Sequence, residues 1–458
     1  MISIIDSRVL DANSEALGIP TSVLMENAGK AISEFLKNEY GKKKIAFVCG
    51  TGNNGGDGFA AALNMDPVQT KVVLLKKPSA IHSDISREKY SLLECCIEQY
   101  CDCSFEDCDV IVDCILGTGV KGSVSEPYRS CIEKINNSGK TIVSADIPSG
   151  FNTDCTIKPD VTITFHDTKT GMNPSNCGKI IICDIGIPAD AFTIIGPGDL
   201  CRYPVPQTDS HKGQNGKLMI IGGGPYFGAP VMSGLSALRI GTDCVRIFTP
   251  ESVSAIVSSY SPVLMVTKLD GDKLSEKHID YLLKESENFD SVLIGPGLGN
   301  SEETKTAIRM FIRNSRKPLV VDADAISCLS GLRLEVPCVV TPHKKEYQSV
   351  SEGMDIENVS SLLNAVILLK GKEDIIADAI HKRINKSGTA AMTGAGTGDV
   401  LSGAVAGLLS KGMNAFDSAC LGAYICGKAG EKAFESKSYG LIATDVIDCI
   451  PTILRSFV

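Results

Sequence analysis

Short apolar runs along this chain end, repeatedly, in loops of glycine and polar residues, and a helical pattern follows each loop. Lys44-Ile45-Ala46-Phe47-Val48-Cys49 passes straight into Gly50-Thr51-Gly52-Asn53-Asn54-Gly55-Gly56-Asp57-Gly58. Strand, glycine loop and helix in that order begin a doubly wound parallel sheet. The pattern returns twice. Asp109–Leu116 leads into Gly117-Thr118-Gly119-Val120-Lys121-Gly122-Ser123, and Thr141–Ala145 into Asp146-Ile147-Pro148-Ser149-Gly150. Open α/β sheets bind ligands outside the carboxyl ends of their strands, so three such loops predict a site. Helices are expected over 7–18 and 21–38, and further strands near 161–165 and 179–184. The stretch 196–206, rich in glycine and proline, reads as turn and linker.

The chemistry of these loops is not that of a hydride-transfer enzyme. Gly50-x-Gly52-x-x-Gly55 has dinucleotide-fingerprint spacing. Yet the next strand, Lys71–Leu75, ends in Lys76-Lys77 rather than an acid that could hold a ribose. Asp57 would also repel a pyrophosphate at that helix start. Asp57, Asp113 and Asp146 supply carboxylates, with Asn54 and Ser149 as neutral oxygens. That set can hold a monovalent cation and keep one carboxylate as a general base. The alternative is a tight turn that needs its glycines.

The second half repeats the logic. Expected strands at 218–221, 291–294, 318–321, 338–340 and 365–369 end in Gly222-Gly223-Gly224, Gly295–Gly299, Asp322-Ala323-Asp324-Ala325, Thr341-Pro342-His343 and Lys370-Gly371. Gly394-Ala395-Gly396-Thr397-Gly398-Asp399 then opens an apolar helical pattern. Free amides at a helix start cradle an anion. Lys370 would face nucleotide phosphates as a point charge, and Gly396–Gly398 would neutralise the group in transfer. Asp399 would take a proton from an acceptor hydroxyl. An ordinary glycine-rich N-cap is the alternative. No G-x-x-x-x-G-K-[ST] occurs, so this is not a P-loop enzyme.

A chain of 458 residues suggests two or three domains, and 43% apolar with 22% charged residues is ordinary for a globular protein. A diffuse net charge of −9 argues against a nucleic-acid surface. Cys95, Cys96, Cys101, Cys103 and Cys108 cluster without the paired C-x2-C spacing of metal sites. A disulfide framework is not expected in so large a chain without a secretion signal. Met1–Asp6 lacks a basic region followed by a long apolar core, and no apolar run approaches a membrane span. The expectation is a cytoplasmic protein.

Asn53–Gly58, the Leu24–Gly29 helix, Asp146–Gly150 and Asp184-Ile185-Gly186-Ile187-Pro188 together resemble the YjeF N-terminal family of NAD(P)H-hydrate epimerases, over about residues 1–205. His211-Lys212-Gly213, Gly228-Ala229-Pro230, Gly295–Gly299, Asp322–Ala325, Thr341-Pro342-His343 with Glu346, Leu369-Lys370-Gly371 and Gly396–Gly403 resemble the YjeF C-terminal family, over about 211–458. That family comprises ADP- or ATP-dependent NAD(P)H-hydrate dehydratases. Two departures stand out. Lys344-Lys345 replaces the usual Pro-Gly, and Gly388-Thr389 replaces the usual Gly-Asn.

The resemblance implies an α/β protein of two domains, a Rossmann-like doubly wound sheet and a ribokinase-like α/β/α domain. It implies that the first domain interconverts the epimers of NADH hydrate and NADPH hydrate with K+ bound by Asn54, Asp113 and Ser149. Hydrate contacts would come from Asn53, Asn54, Gly55, Gly56, Asp57, the loop Gly117, Thr118, Gly119, Val120, Lys121, Gly122 and Ser123, and Asp146, the acid–base candidate. In the second domain Ala229, Gly297, His343 and Asp399 match substrate contacts. Lys370, Gly371, Lys372, Glu373, Asp374, Gly396, Thr397 and Gly398 match the nucleotide site, with Mg2+ expected beside ADP or ATP. A homo-oligomer is expected. The alternative is a small-molecule kinase of the same fold fused to a non-catalytic binding module.

Overall fold

The structure, a computed structural model, describes residues 1–120 and 122–455. It divides into two compact units, Met1–Ala191 and Phe192–Val458.

In the first unit seven strands form one parallel sheet: β1 (Ile45–Cys49), β2 (Thr70–Leu74), β3 (Cys96–Gln99), β4 (Val110–Cys114), β5 (Thr141–Ala145), β6 (Val161–Phe165) and β7 (Lys179–Cys183). Their order is 3-2-1-4-5-6-7, and every pairing is parallel. Strands β1, β2, β4 and β6 are buried along their whole length. Burial on both faces is what a parallel sheet covered by helices requires; β1 is apolar throughout, while β2, β4 and β6 also bury polar residues such as Lys71, Asp113 and Thr162. The chain leaves β1 and β4 in opposite directions, so a crevice opens between their carboxyl ends.

Two helices precede β1, Ile4–Ala16 and Thr21–Tyr40. Leu24, Ala28, Ile32 and Leu36 recur at helical spacing on the buried face of the second. Gly29 lies on that face, and a methyl group there would come within 2.5 Å of the Ala60 Cβ and 2.7 Å of the Ala61 nitrogen. Only glycine lets this helix pack so closely on the Asn53–Leu63 helix.

The second unit carries a ten-stranded sheet: β8 (Ile194–Ile195), β9 (Lys217–Ile221), β10 (Cys244–Pro250), β11 (Met265–Leu269), β12 (Ser291–Ile294), β13 (Leu319–Val321), β14 (Cys338–Val340), β15 (Val366–Leu369), β16 (Asp374–Ala377) and β17 (Lys382–Asn385). The order is 11-10-9-12-13-14-15-16-17-8. Strands up to β15 are parallel; β16 and β17 form an antiparallel extension. Here the switch point lies between β9 and β12. The Thr397–Ser410 helix is buried from Val400 onward, as expected of a helix apolar on all sides. It crosses the Gly228–Arg239 helix at Gly403, where an added Cβ would strike the Ser233 backbone.

The stretch 196–206 is more than the turn and linker expected of it. It begins beside β8, which pairs with β17, and Pro197–Arg202 forms a 3-10 helix. Arg383 of β17 pairs with the fully buried Asp199 carboxylate and donates to the Ile194 carbonyl at 2.9 Å. The anchoring partner lies 184 residues away, which no local pattern can show. No helix among the described residues is long and apolar enough to cross a membrane.

Candidate functional sites

In the first unit a cavity of about 600 Å³ opens at the switch point. Asn53, Asn54, Asp57, Gly117, Thr118, Gly119, Val120 and Asp146 all line it. The Asn53–Gly58 segment, expected as a loop, is the first turn of the Asn53–Leu63 helix. Gly55 and Gly56 do not line the cavity. A Cβ on Gly55 would strike the Gly50 carbonyl, and one on Gly56 would meet the Met25 methyl group at 2.5 Å. Gly122 and Ser123 do not line the cavity, and Lys121 lies outside the described residues.

Asp146 stands where β5 ends, with φ of 61°. A left-handed backbone at a non-glycine residue costs about 1–3 kcal/mol and persists only where the surroundings enforce it. Here the Phe165 amide donates to Asp146 Oδ1 at 3.2 Å. The Lys169 ammonium, only 1% exposed as a residue, pairs with the same oxygen. It is held in turn by Thr164 Oγ1 at 2.9 Å and the Phe165 carbonyl at 3.0 Å.

Two more carboxyls face this pair. Burial, reinforced by the charge of Asp146, raises Asp11 to about 6. Burial, with Asp146 and Asp11 as neighbouring charges, raises Asp57 well above the usual carboxylate range despite the opposing effect of Lys169. Neither Asp11 nor Lys169 stands among the residues expected from sequence. Lys169 follows a recognised strand within a polar loop, so the strand-end rule could have found it. Asp11 is a polar residue within a helix, and only the tertiary fold brings it here.

Beneath the cavity Asp113 is fully buried. It accepts from the Ser144 hydroxyl and the Ser149 amide at 2.8 Å each, and from the Ser149 hydroxyl. Burial raises its pKa against these hydrogen bonds, and no basic side chain is among the groups acting on it. The Asn54 amide nitrogen is buried without a partner, and the Asn54 side chain lies against Gly117.

In the second unit Lys370, Gly371, Lys372, Glu373, Asp374, Thr397 and Gly398 line a cavity of about 590 Å³. Lys370 is drawn there by its backbone, which pairs with His343, and by its side chain. Lys370 Nζ donates to Asp322 Oδ1 at 3.0 Å, and Thr341 Oγ1 donates to the same oxygen at 2.7 Å. The ammonium lies 3.5 Å from where a Cβ on Gly398 would stand. It therefore sits beside the first turn of the Thr397–Ser410 helix, whose amides have no partners within the helix. Gly396, at φ 93°, forms the N-cap. Burial works to lower the Lys370 pKa, but Asp322, Glu346 and Asp399 outweigh it and the net shift is upward.

Asp399 lies in that same first turn. Burial, then the charge of Asp322, raises it to about 7; Lys370 opposes the shift and Asp324 adds to it. Asp374 shapes the turn after Lys370, accepting from the Gly371 amide and the Asn385 side chain at 3.0 Å each.

Gly297 takes φ of 70° against the Tyr226 carbonyl, and Ala229 lies in the first turn of the Gly228–Arg239 helix. Their loops follow β12 and β9, at the same sheet edge as Asp322 and Lys370. His343, half-exposed, caps the Lys344–Ser351 helix: its Nδ1 accepts from the Glu346 amide at 3.0 Å. The Lys344-Lys345 departure occupies the first two positions of that helix, with the capping box intact. Thr389 lines the cavity and caps the Ala390–Thr393 turn.

Among the described residues no group of three or more His, Cys, Asp or Glu could hold a metal ion, and none of the eighteen cysteines forms a disulfide.

Residues 218–452 match the family model described as NAD(P)H-hydrate dehydratase, and residues 21–171 that of the YjeF-related protein N-terminus. The bifunctional NAD(P)H-hydrate repair enzyme Nnr of Methanothermobacter thermautotrophicus is 40% identical, over 98% of this chain and 94% of that protein. The enzyme of the same name from Archaeoglobus fulgidus is 36% identical, over 99% and 98%. The crystal structure of an ADP/ATP-dependent NAD(P)H-hydrate dehydratase from Bacillus subtilis covers 58% of this chain and 99% of its own. It matches with a TM-score of 0.53 at 24% identity, and so shares the ribokinase-like fold. Two family models in tandem and full-length relatives of one name place this chain in the family of bifunctional NAD(P)H-hydrate repair enzymes.

Proposed function

We propose that the first unit interconverts the R and S epimers of NADH hydrate and NADPH hydrate, and that the second unit dehydrates the S epimer with ADP or ATP as phosphoryl donor. The observation that carries the second assignment is one juxtaposition: the Lys370 ammonium sits beside the first turn of the Thr397–Ser410 helix, which carries both free amides and Asp399, and the charges of Lys370 and Asp399 act on each other.

Hydroxide is a poor leaving group, and phosphate is a good one. Asp399 accepts the proton of the C6 hydroxyl while that oxygen attacks the terminal phosphorus of the nucleotide. The bond from phosphorus to the bridging oxygen breaks toward the shortened nucleotide. Lys370 and the helix amides neutralise the charge that develops on the transferring group. The ring nitrogen lone pair then expels phosphate from C6, and loss of a C5 proton leaves the C5–C6 double bond of NAD(P)H. The balance is hydrate plus nucleotide giving NAD(P)H, phosphate and the nucleotide shortened by one phosphoryl group.

The first site suits K+. Asp113 is a buried carboxylate with no basic side chain among the groups acting on it, and the Ser149 amide and hydroxyl both donate to it. A monovalent cation held by Asn54, Asp113 and Ser149 would supply the missing charge and order the loops that hold the hydrate. No comparable set exists for Mg2+ among the described residues, and no step above is routed through it. Cysteines outside any disulfide fit a reducing compartment such as the cytoplasm.

A true small-molecule kinase is the competing reading, because the ribokinase-like fold is shared with kinases. Phosphorus NMR of the S hydrate with ATP separates the two. Dehydration gives inorganic phosphate in step with NAD(P)H, whereas a phosphorylated product that persists would overturn the reading.

A further inference from the structure

We propose that Asp57 is the proton donor of the first site, working opposite Asp146, and that Lys169 positions Asp146 for its part. This rests on the reading of the first unit as an epimerase. Inverting C6 of the hydrate takes more than one base. C6 carries both the hydroxyl and the ring nitrogen. A base removes the hydroxyl proton, the freed pair forms the carbonyl double bond, and the C6–N1 bond breaks with its pair going to N1. N1 must then be protonated. Rotation about the C5–C6 bond presents the other face of the aldehyde. N1 attacks it, the N1 proton returns to its donor, and the new alkoxide recovers the proton held by the base. One carboxylate and one protonated carboxyl are required, and at the end both are restored.

The cavity holds such a pair. Asp146 is ion-paired to an almost fully buried ammonium that itself has two further oxygen partners. Asp57 lines the same cavity from the Asn53–Leu63 helix. The titratable side chains around it are Arg8 and Asp11 from the Ile4–Ala16 helix, His82, Tyr128, Asp146, His166 and Lys169. Burial and the charges of Asp146 and Asp11 favour its protonated form over the opposing Lys169. A carboxylate ion-paired to a buried ammonium and a neighbouring carboxyl pushed toward its protonated form assign one as base and one as acid. The Lys169 ammonium is already engaged by Asp146, Thr164 and the Phe165 carbonyl, and its task is to fix Asp146 in the strained backbone conformation seen here.

The test uses the full chain with K+ and no nucleotide, following conversion of (R)-NADPH hydrate to the S epimer by chiral chromatography. Asp57→Asn keeps the shape and a donor but cannot transfer a proton. It is expected to lower kcat roughly 100-fold or more with KM little changed. Wild-type kcat falls at alkaline pH as Asp57 loses its proton, and Asp57→Asn lacks that limb. Calorimetry showing that the hydrate still binds Asp57→Asn confirms that the site is folded. Lys169→Met lowers kcat, and Lys169→Arg restores part of it. Wild-type kcat in Asp57→Asn, or an alkaline limb that survives the substitution, overturns the proposal. A wild-type chain that does not interconvert the epimers overturns the epimerase reading itself.

Discussion

Lys370 and Asp322 are joined across the second site, with the ammonium 3.0 Å from Asp322 Oδ1 and the Thr341 hydroxyl 2.7 Å from the same oxygen. Asp322 is 2% exposed and accepts both bonds. It also raises Asp399 by like charge. Asp322→Asn therefore has two separable effects. The KM for nucleotide rises, by roughly tenfold for a weakened hydrogen bond to a charged group. The acid limb of the dehydration profile moves to lower pH, because Asp399 loses a neighbouring negative charge. Steady-state kinetics against pH check both.

Asp399 must be ionised to accept a proton. Its pKa of about 7 means that dehydration rises with pH through that region and levels off above it. Asp399→Asn is expected to lower nucleotide-dependent dehydration roughly 100- to 10,000-fold and to leave epimerisation intact. Assaying the two reactions separately on the same preparation checks this.

Two glycines test whether the units can be injured independently. At Gly29 a Cβ would meet the Ala60 carbonyl carbon at 2.6 Å, and at Gly403 it would strike the Ser233 backbone. Neither obstacle is a flexible side-chain tip, so helices must shift. Overpacking of this kind costs about 1–3 kcal/mol. Gly29→Ala is expected to lower epimerisation and Gly403→Ala dehydration, each with a lower melting transition by calorimetry.

Restoring the family's Pro-Gly in place of Lys344-Lys345 is expected to be nearly silent. Position 344 is the first of its helix, where proline is tolerated. The His343–Glu346 capping box does not involve either side chain. The double substitution Lys344→Pro, Lys345→Gly should change stability by no more than about 1 kcal/mol, measured by denaturant unfolding, and leave dehydration near wild type.

Much of both folds is legible in the sequence because interior parallel strands are buried on both faces. Ile45–Cys49 reads as an apolar run and is β1. Cys96–Gln99 does not: it is the edge strand β3, half-exposed and set among cysteines. Lys370 and Asp399 are legible because they stand beside glycines at a strand end and a helix start. Asp11 is not, since nothing in its own helix marks it. Asp322 could be read as part of a motif, but its grip on Lys370 lies 48 residues away.

The most direct measurement gives the chain an epimer mixture of NADH hydrate with ATP and K+, and follows recovery of the reduced-nicotinamide absorbance together with released phosphate. Both epimers should return as NADH, one phosphate for each; the Asp146→Asn chain should recover only the S epimer. No recovery of NADH, or recovery from the R epimer undiminished in Asp146→Asn beyond the protein-free rate, would contradict the account.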